Sequence, residues 1–251
     1  MQKVRLFCLP FVGGSQFSYT PFRPYMPEGI HMISLDLPGH GTLFTEKPLD
    51  CLHQIADNLF ERIEKYLDEP YGIFGHSMGS MVSFLLLHRI RESGYPMPVH
   101  VFLSGRGGAC IHEKERGVHE LPTEELLLKL EKMSGKSQNL ASSPKALCLY
   151  EKVLRADLAA LDFFEYEQFA GEKLDVNATI LIGTHDLYTV KEASFWQKEF
   201  RPKIDLNIFE GGHFFIFDYL KEISEMMGEQ LLSTSNKLIL LENWSLGNRL
   251  A

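Results

Sequence analysis

Ser77 stands at the centre of Gly75-His76-Ser77-Met78-Gly79, a GxSxG pentapeptide. A serine hydroxyl is a poor nucleophile near neutral pH. It needs a base for its proton, a group that orients the base, and donors for the oxyanion formed on the attacked carbonyl. The pentapeptide suits a tight strand-to-helix turn that lifts the serine out of a sheet, and its outer positions must be small because the turn is crowded. Gly75 and Gly79 meet that demand. The Met78 amide, at the start of the following helix, is then one expected oxyanion donor. His213 in "FEGGHFFIF", beyond the last apolar run, is the candidate base. Asp186 in "GTHDLYTV", directly after "ATILIG", is the candidate acid. It would hold the imidazole in the tautomer that leaves Nε2 facing Ser77.

A second oxyanion donor is expected from "LPFVGGS", where Pro10 ends an apolar run and Gly13 and Gly14 let the backbone approach a substrate closely. The Val12 amide is the expected donor, with Phe11 as the adjacent alternative. His76 sits beside the nucleophile and is read as helping to hold the turn. His40 in "DLPGHG" is read as lining the rim of the site. Asp157, Asp162 and Asp175 fall in or near a helical stretch, a poor platform for a rigid orienting acid, and Asp205 and Glu210 flank the last run as weaker competitors. No GxxxxGK[ST], dinucleotide fingerprint or HExxH occurs, so neither a cofactor nor a metal is expected.

These side chains need elements that bring them together. Short apolar runs recur as "VRLFCLP", "HMISLD", "YGIFG", "VHVFLSG", "NATILIG" and "IDLNIFE", each near strand length and several bounded by glycine or proline. Helical periodicity fills most intervals. "HQIADNLFERIEKYL" places Ile55, Leu59, Ile63 and Leu67 on one stripe, and "SMVSFLLLHRIRESG" is apolar until Gly94. This alternation predicts an α/β protein with a mostly parallel sheet covered on both faces by helices. From about 112 to 174 the rhythm breaks into two or three amphipathic helices, too long for an ordinary crossover. That stretch is expected to be an inserted helical lid over the ligand-binding end of the sheet. Residues 1–232 are expected to form one domain that includes the lid. Residues 233–251, "TSNKLILLENWSLGNRLA" with the preceding serine, fit neither the preceding helix nor a further βα unit and are read as a C-terminal tail of open role.

With 251 residues, 45% of them hydrophobic and 23% charged, the chain is an ordinary folded globular protein. Its formal charge of −8 gives no general attraction to nucleic acid or anionic membrane, and neither is expected as a partner. Four widely spaced cysteines (Cys8, Cys51, Cys110, Cys148) match no metal or CxxC pattern and read as reduced thiols of a cytoplasmic protein. The start "MQKVRLFCLPFVGG" is read as a first core strand in preference to a secretion signal, its apolar run being short and broken by Pro10. No run reaches the roughly 18 to 20 apolar residues of a membrane span.

Elbow, chain order and βα alternation together predict an α/β-hydrolase fold carrying a serine hydrolase. The chain further resembles the type II (editing) thioesterases that accompany nonribosomal peptide and polyketide synthases, with animal medium-chain acyl-carrier thioesterases as relatives. The resemblance rests on "LPFVGGSQFSY", "DLPGHG", "YGIFGHSMGSMVSF", "LSGRG", "HELPTEELL", "LRADLAALDFFEY", "GTHDLYTV" and "FEGGHFFIF", in family order from residue 6 to about 220. It implies Ser77, Asp186 and His213 as nucleophile, acid and base, and Met78 and Val12 as oxyanion amides. Two departures are Phe11-Val12 where members commonly carry His-Ala, and His40 where they carry arginine. The implied activity is hydrolysis of acyl groups held as thioesters on the phosphopantetheine arm of acyl or peptidyl carrier proteins, by a monomer that meets its carrier transiently. Lys114, Arg116 and Arg155 are candidate contacts to an acidic carrier helix. An acyltransferase using a non-water acceptor, or a general carboxylesterase, would use the same groups.

Overall fold

The computed structural model describes residues 3–134, 144–166 and 173–247. Six strands form one all-parallel sheet: β1 (Val4–Leu9), β2 (Ile30–Ser34), β3 (Tyr71–His76), β4 (His100–Ser104), β5 (Ala178–Gly183) and β6 (Asp205–Phe209). Their order across the sheet is β2-β1-β3-β4-β5-β6. All six coincide with the apolar runs read from the sequence. The helices are α1 (Leu52–Ile63), α2 (Met78–Glu92), α3 (Thr123–Ser134), α4 (Pro144–Asp162), α5 (Val190–Ser194) and α6 (Leu220–Gly247).

Both faces of the four inner strands β1, β3, β4 and β5 are buried almost throughout, which is why those strands read as continuous apolar runs instead of alternating ones. On one face Phe7, Leu9, Ile73, Val101, Leu103, Ile180 and Ile182 pack with α1, α2 and α5. On the other, Leu6, Cys8, Phe74, Phe102 and Leu181 pack with α6 and a 3-10 segment at Gln16–Tyr25. The α1 stripe is realised in full, because Ile55, Leu59, Ile63 and Leu67 are all buried. Helix α2 is buried on nearly every side, held between α1 and the sheet.

The chain moves outward from β1 to β2, then returns to the far side of β1 to lay down β3. Ligands bind in the crevice beyond the strand ends at such a reversal. Leu9 at the end of β1 is in register with Gly75 near the end of β3, so the loops that follow emerge side by side.

Between β4 and β5 lie a 3-10 turn at Val118–Glu120, then α3 and α4. Val118, Leu126 and Leu158 form a small cluster there, and Val12 packs against both this cluster and the main core. At the other end of the chain α6 continues to Gly247, whereas the sequence reading broke off its helix near Leu231. The Ser-Thr-Ser step at 233–235 contains no glycine or proline and does not stop a helix.

Candidate active site

The chain leaves β3 through Ser77, at φ 56° and ψ −117°, the only non-glycine residue with positive φ among those described. Holding a residue with a Cβ there costs on the order of 1–3 kcal/mol and requires firm surroundings. Ser77 N–H donates to Ser104 O (2.7 Å), and Ser80 Oγ–H lies 2.9 Å from both Gly75 O and Ser104 O. The glycines answer a crowded turn. A Cβ on Gly75 would lie 2.1 Å from Gly79 O, and one on Gly79 2.5 Å from Leu9 O. Small residues are therefore obligatory at both ends of the pentapeptide.

The β5 and β6 loops deliver the other two groups. They are tied together by Thr184 N–H to Phe209 O and His185 N–H to Gly211 O, both 2.8 Å. Across that brace His213 Nδ1–H donates to Asp186 Oδ1 at 2.7 Å. Ser77 Oγ–H donates to His213 Nε2 at 2.9 Å. The side chains of Asp186 and His213 are 0% and 4% exposed, which shields the pair from water. Asp186 Oδ1 also accepts from Leu187 N–H (2.6 Å), while Oδ2 is buried without a partner. This arrangement can draw the proton from Ser77 onto an imidazole whose positive charge a buried carboxylate then balances.

His76 faces Ser104 Oγ (3.0 Å), away from the nucleophile. Burial, aided by neighbouring His213, pushes its imidazole well below the usual histidine range, so it stays neutral. Met78 opens α2, where an N–H has no acceptor inside the helix. In the β1 loop, Gly14 N–H closes a turn onto Phe11 O at 2.8 Å. Gly13 has φ +69°, and its N–H donates to Asp157 Oδ2 of α4 at 2.7 Å.

Ser77, His213 and Val12 line one cavity of about 70 Å³. Leu154, Leu158 and Leu161 of α4, with Phe11 and Phe214 of the core loops, supply part of its apolar wall. The α3–α4 segment thus contributes leucines, while among the described residues the aromatic wall comes from the core and Tyr150. A polar cluster interrupts it. Arg106 pairs with Glu113 at 2.5 Å and meets Tyr188 Oη, which donates to Glu113 at 3.0 Å. The sequence reading passed over these three residues, since nothing local marks an arginine, a glutamate and a tyrosine so far apart as one cluster.

His40 does not lie on the rim of this cavity. It is buried and lines an adjoining cleft of about 580 Å³ with Gly13, Gly14 and Tyr150, the last shared by both spaces. Two of the three expected carrier-contact cations are tied to backbone within the chain. Arg116 donates to Asp162 O, and Arg155 to His119 O and Leu121 O as well as to Glu151. Lys114 pairs with Glu192 at 2.7 Å. No helix among the described residues is long and apolar enough to cross a membrane.

Comparison with known proteins gives the chain a family. The chain is 29% identical over 230 residues to "Gramicidin S biosynthesis protein GrsT" of Aneurinibacillus migulanus, covering 91% of this chain and 89% of that one. Among solved structures it resembles the type II thioesterase BorB from the borrelidin biosynthetic cluster, at 27% identity and TM-score 0.82, covering 91% and 93% of the two chains. The fold is shared with ClbQ from the colibactin NRPS/PKS pathway, at 23% identity and TM-score 0.85, over 93% and 98%. The family profile described as "Thioesterase domain" matches residues 4–231, from the first residue of β1 into α6, and so takes in every strand and all three groups of the site. The chain belongs to the thioesterase domain family, enzymes of the serine-hydrolase type.

Proposed function

We propose that this protein hydrolyses acyl groups from the phosphopantetheine arm of carrier proteins, clearing aberrant or stalled chains from nonribosomal peptide, polyketide or related fatty acyl assembly. The observation that carries the reading is the relay from Asp186 through His213 to Ser77 at the wall of a small apolar cavity. The likeness to GrsT and BorB supports the biosynthetic setting.

In this reading Ser77 Oγ attacks the thioester carbonyl as His213 Nε2 takes its proton. The Met78 and Val12 amides receive the oxyanion, Asp186 balances the imidazolium, and the pantetheine thiolate leaves with the proton from His213. A water then enters, His213 takes its proton, and the acyl–Ser77 ester is cleaved. Every group is the chain's own, and no cofactor takes part. The α3–α4 segment is the lid: its leucines close the cavity from outside, so a slender arm reaches Ser77 where a bulky ester does not. The protein acts in the cytoplasm as a monomer that meets its carrier transiently.

The test is mass spectrometry of purified carrier proteins loaded with a panel of acyl groups, before and after exposure to the enzyme. Return of the carrier to its free-thiol mass, with the acyl group recovered as acid, supports the proposal. Recovery of the acyl group on an added alcohol or amine, or cleavage of simple esters only, refutes it.

A further inference from the structure

The β1 loop is fastened from a distance. Asp157 Oδ2, on α4, accepts from Gly13 N–H at 2.7 Å and from His40 Nε2–H at 3.0 Å. The carboxylate is fully buried, and its other oxygen has no partner. A buried, half-satisfied carboxylate is a costly way to seat a helix, and an apolar side chain would do that better. The same turns of α4 carry Leu154, Leu158 and Leu161 into the wall of the Ser77 cavity.

Peptide planarity says what the fastening controls. Phe11 O and Val12 N–H belong to one rigid plane. Gly14 N–H fixes that plane through Phe11 O, and Asp157 fixes the very next plane through Gly13 N–H. The direction of the Val12 N–H is thus set from both sides.

Both nitrogens of His40 face oxygen acceptors, Nδ1 at 3.1 Å from Pro38 O and Nε2 toward Asp157. Only the imidazolium has a proton for each. Burial opposes that charge, but the hydrogen bond and charge of Asp157 outweigh it and hold His40 above its ordinary pKa. The other titratable groups near the pair are Asp36, bonded to Gln16 and Thr42, and Tyr150, which faces Asp157 from its own helix. Glu46, Lys47 and Lys152 line the outer cleft.

We propose that Asp157 is a positioning residue for the oxyanion site: from α4 it grips Gly13 N–H and the His40 imidazolium together, so the Val12 amide is aimed at the oxyanion only while α4 is seated. The inference rests on the Ser77 mechanism above. It makes seating of α4, and with it the apolar wall, a precondition for chemistry at Ser77. As pH rises through the His40 pKa one of its nitrogens turns to face an oxygen without a proton, and the grip loosens.

The test is hydrolysis of an acyl N-acetylcysteamine thioester from pH 6 to 10, with circular dichroism on each variant. Asp157→Ala is expected to lower kcat about 100-fold, the scale of one lost oxyanion donor, with KM moving less than about threefold. Asp157→Asn, whose amide oxygen can accept both hydrogen bonds, is expected to retain activity within about tenfold of wild type. Wild type is expected to lose kcat at alkaline pH, and His40→Gln, which donates without titrating, to lack that alkaline fall. A general loss of folded enzyme would lower the profile without changing its shape. Wild-type kcat in a folded Asp157→Ala variant, or the same alkaline fall in His40→Gln, overturns the proposal. If Asp157→Ala does not fold, Asp157→Asn with less activity than about one-hundredth of wild type overturns it. Activity surviving in Ser77→Ala would instead strike the mechanism on which the inference rests.

Discussion

Replacing Asp186 by asparagine is expected to cost this enzyme much less than removing the side chain. In serine hydrolases the usual harm of such an amide is to turn its NH₂ toward the histidine and force the wrong tautomer, with losses of about 10⁴ in kcat. Here the oxygen that receives His213 Nδ1–H (2.7 Å) also receives Leu187 N–H (2.6 Å). An NH₂ in that place would confront a backbone donor, so the amide oxygen must stay there. The NH₂ goes to the Oδ2 position, which has no partner to lose. The working tautomer of His213 survives, and only the charge is gone. A charge-assisted hydrogen bond contributes about 1.5–3 kcal/mol against about 0.5–1.5 for a neutral one, a difference near 1–2 kcal/mol. At 1.36 kcal/mol per decade, kcat should fall about 5- to 30-fold. Asp186→Ala, which also frees the imidazole to rotate, should fall by roughly 10³ or more. The assay is thiol release from an acyl-pantetheine thioester at saturating substrate, with thermal melts to confirm folding. A folded Asp186→Asn enzyme as inactive as Asp186→Ala would refute the reasoning, because the Leu187 amide would then not be holding the carboxamide in place.

Three further outcomes follow from particular contacts. Ser77→Ala and Ser77→Gly should both be inactive, but the glycine variant should be the more stable by about 1 kcal/mol in denaturant titration, since only it accepts φ 56° without strain. Gly13→Ala should lose about 1–3 kcal/mol and most of its kcat, because the new Cβ at φ +69° would lie 2.6 Å from Leu154 Cδ2 and 2.7 Å from Tyr150 Oη; wild-type kinetics would contradict this. Burial, opposed in part by Asp205, pushes His100 down to about 4 from an ordinary 6.5. Above pH 6.5 the residue is neutral both folded and unfolded and costs nothing. As pH falls from 6.5 to about 4 only the unfolded chain takes up the proton, and stability drops by up to about 3 kcal/mol. Melting curves across that window should show the loss, and His100→Gln should reduce it.

Much of the site was legible in the sequence because its signals are local. The GxSxG spacing reports a turn whose crowding the structure puts at 2.1 Å for Gly75, and any larger residue there would be excluded on the same ground. Asp186 and His213 each lie in the loop that follows an apolar run, and the parallel sheet brings those run ends together. The expected positions of Met78 and Val12 likewise fall beside Ser77, one opening α2 and the other in the cavity wall. What escaped is long-range. Asp157 was set aside as belonging to a poor platform, yet it reaches Gly13 across 144 residues of chain. No periodicity or motif encodes that contact; it follows from how α4 lies on the β1 loop. His40, in its glycine-rich loop, was placed on the rim, but a buried carboxylate draws it inward. The continuation of α6 escaped for a different reason. Its apolar residues beyond Leu232 lack the one-sided stripe that marks a core helix, so the reading broke where the backbone did not.

The central claim is that Ser77 receives the acyl group from a thioester and passes it to water. Rapid acid quench of the enzyme mixed with an acyl-loaded carrier protein, followed by peptide mass spectrometry, measures this directly. The expected result is a transient mass increase equal to the acyl group on the peptide containing Ser77, absent from Ser77→Ala, with free acid accumulating as the adduct decays. An adduct on another residue, or undiminished hydrolysis by Ser77→Ala, would contradict it.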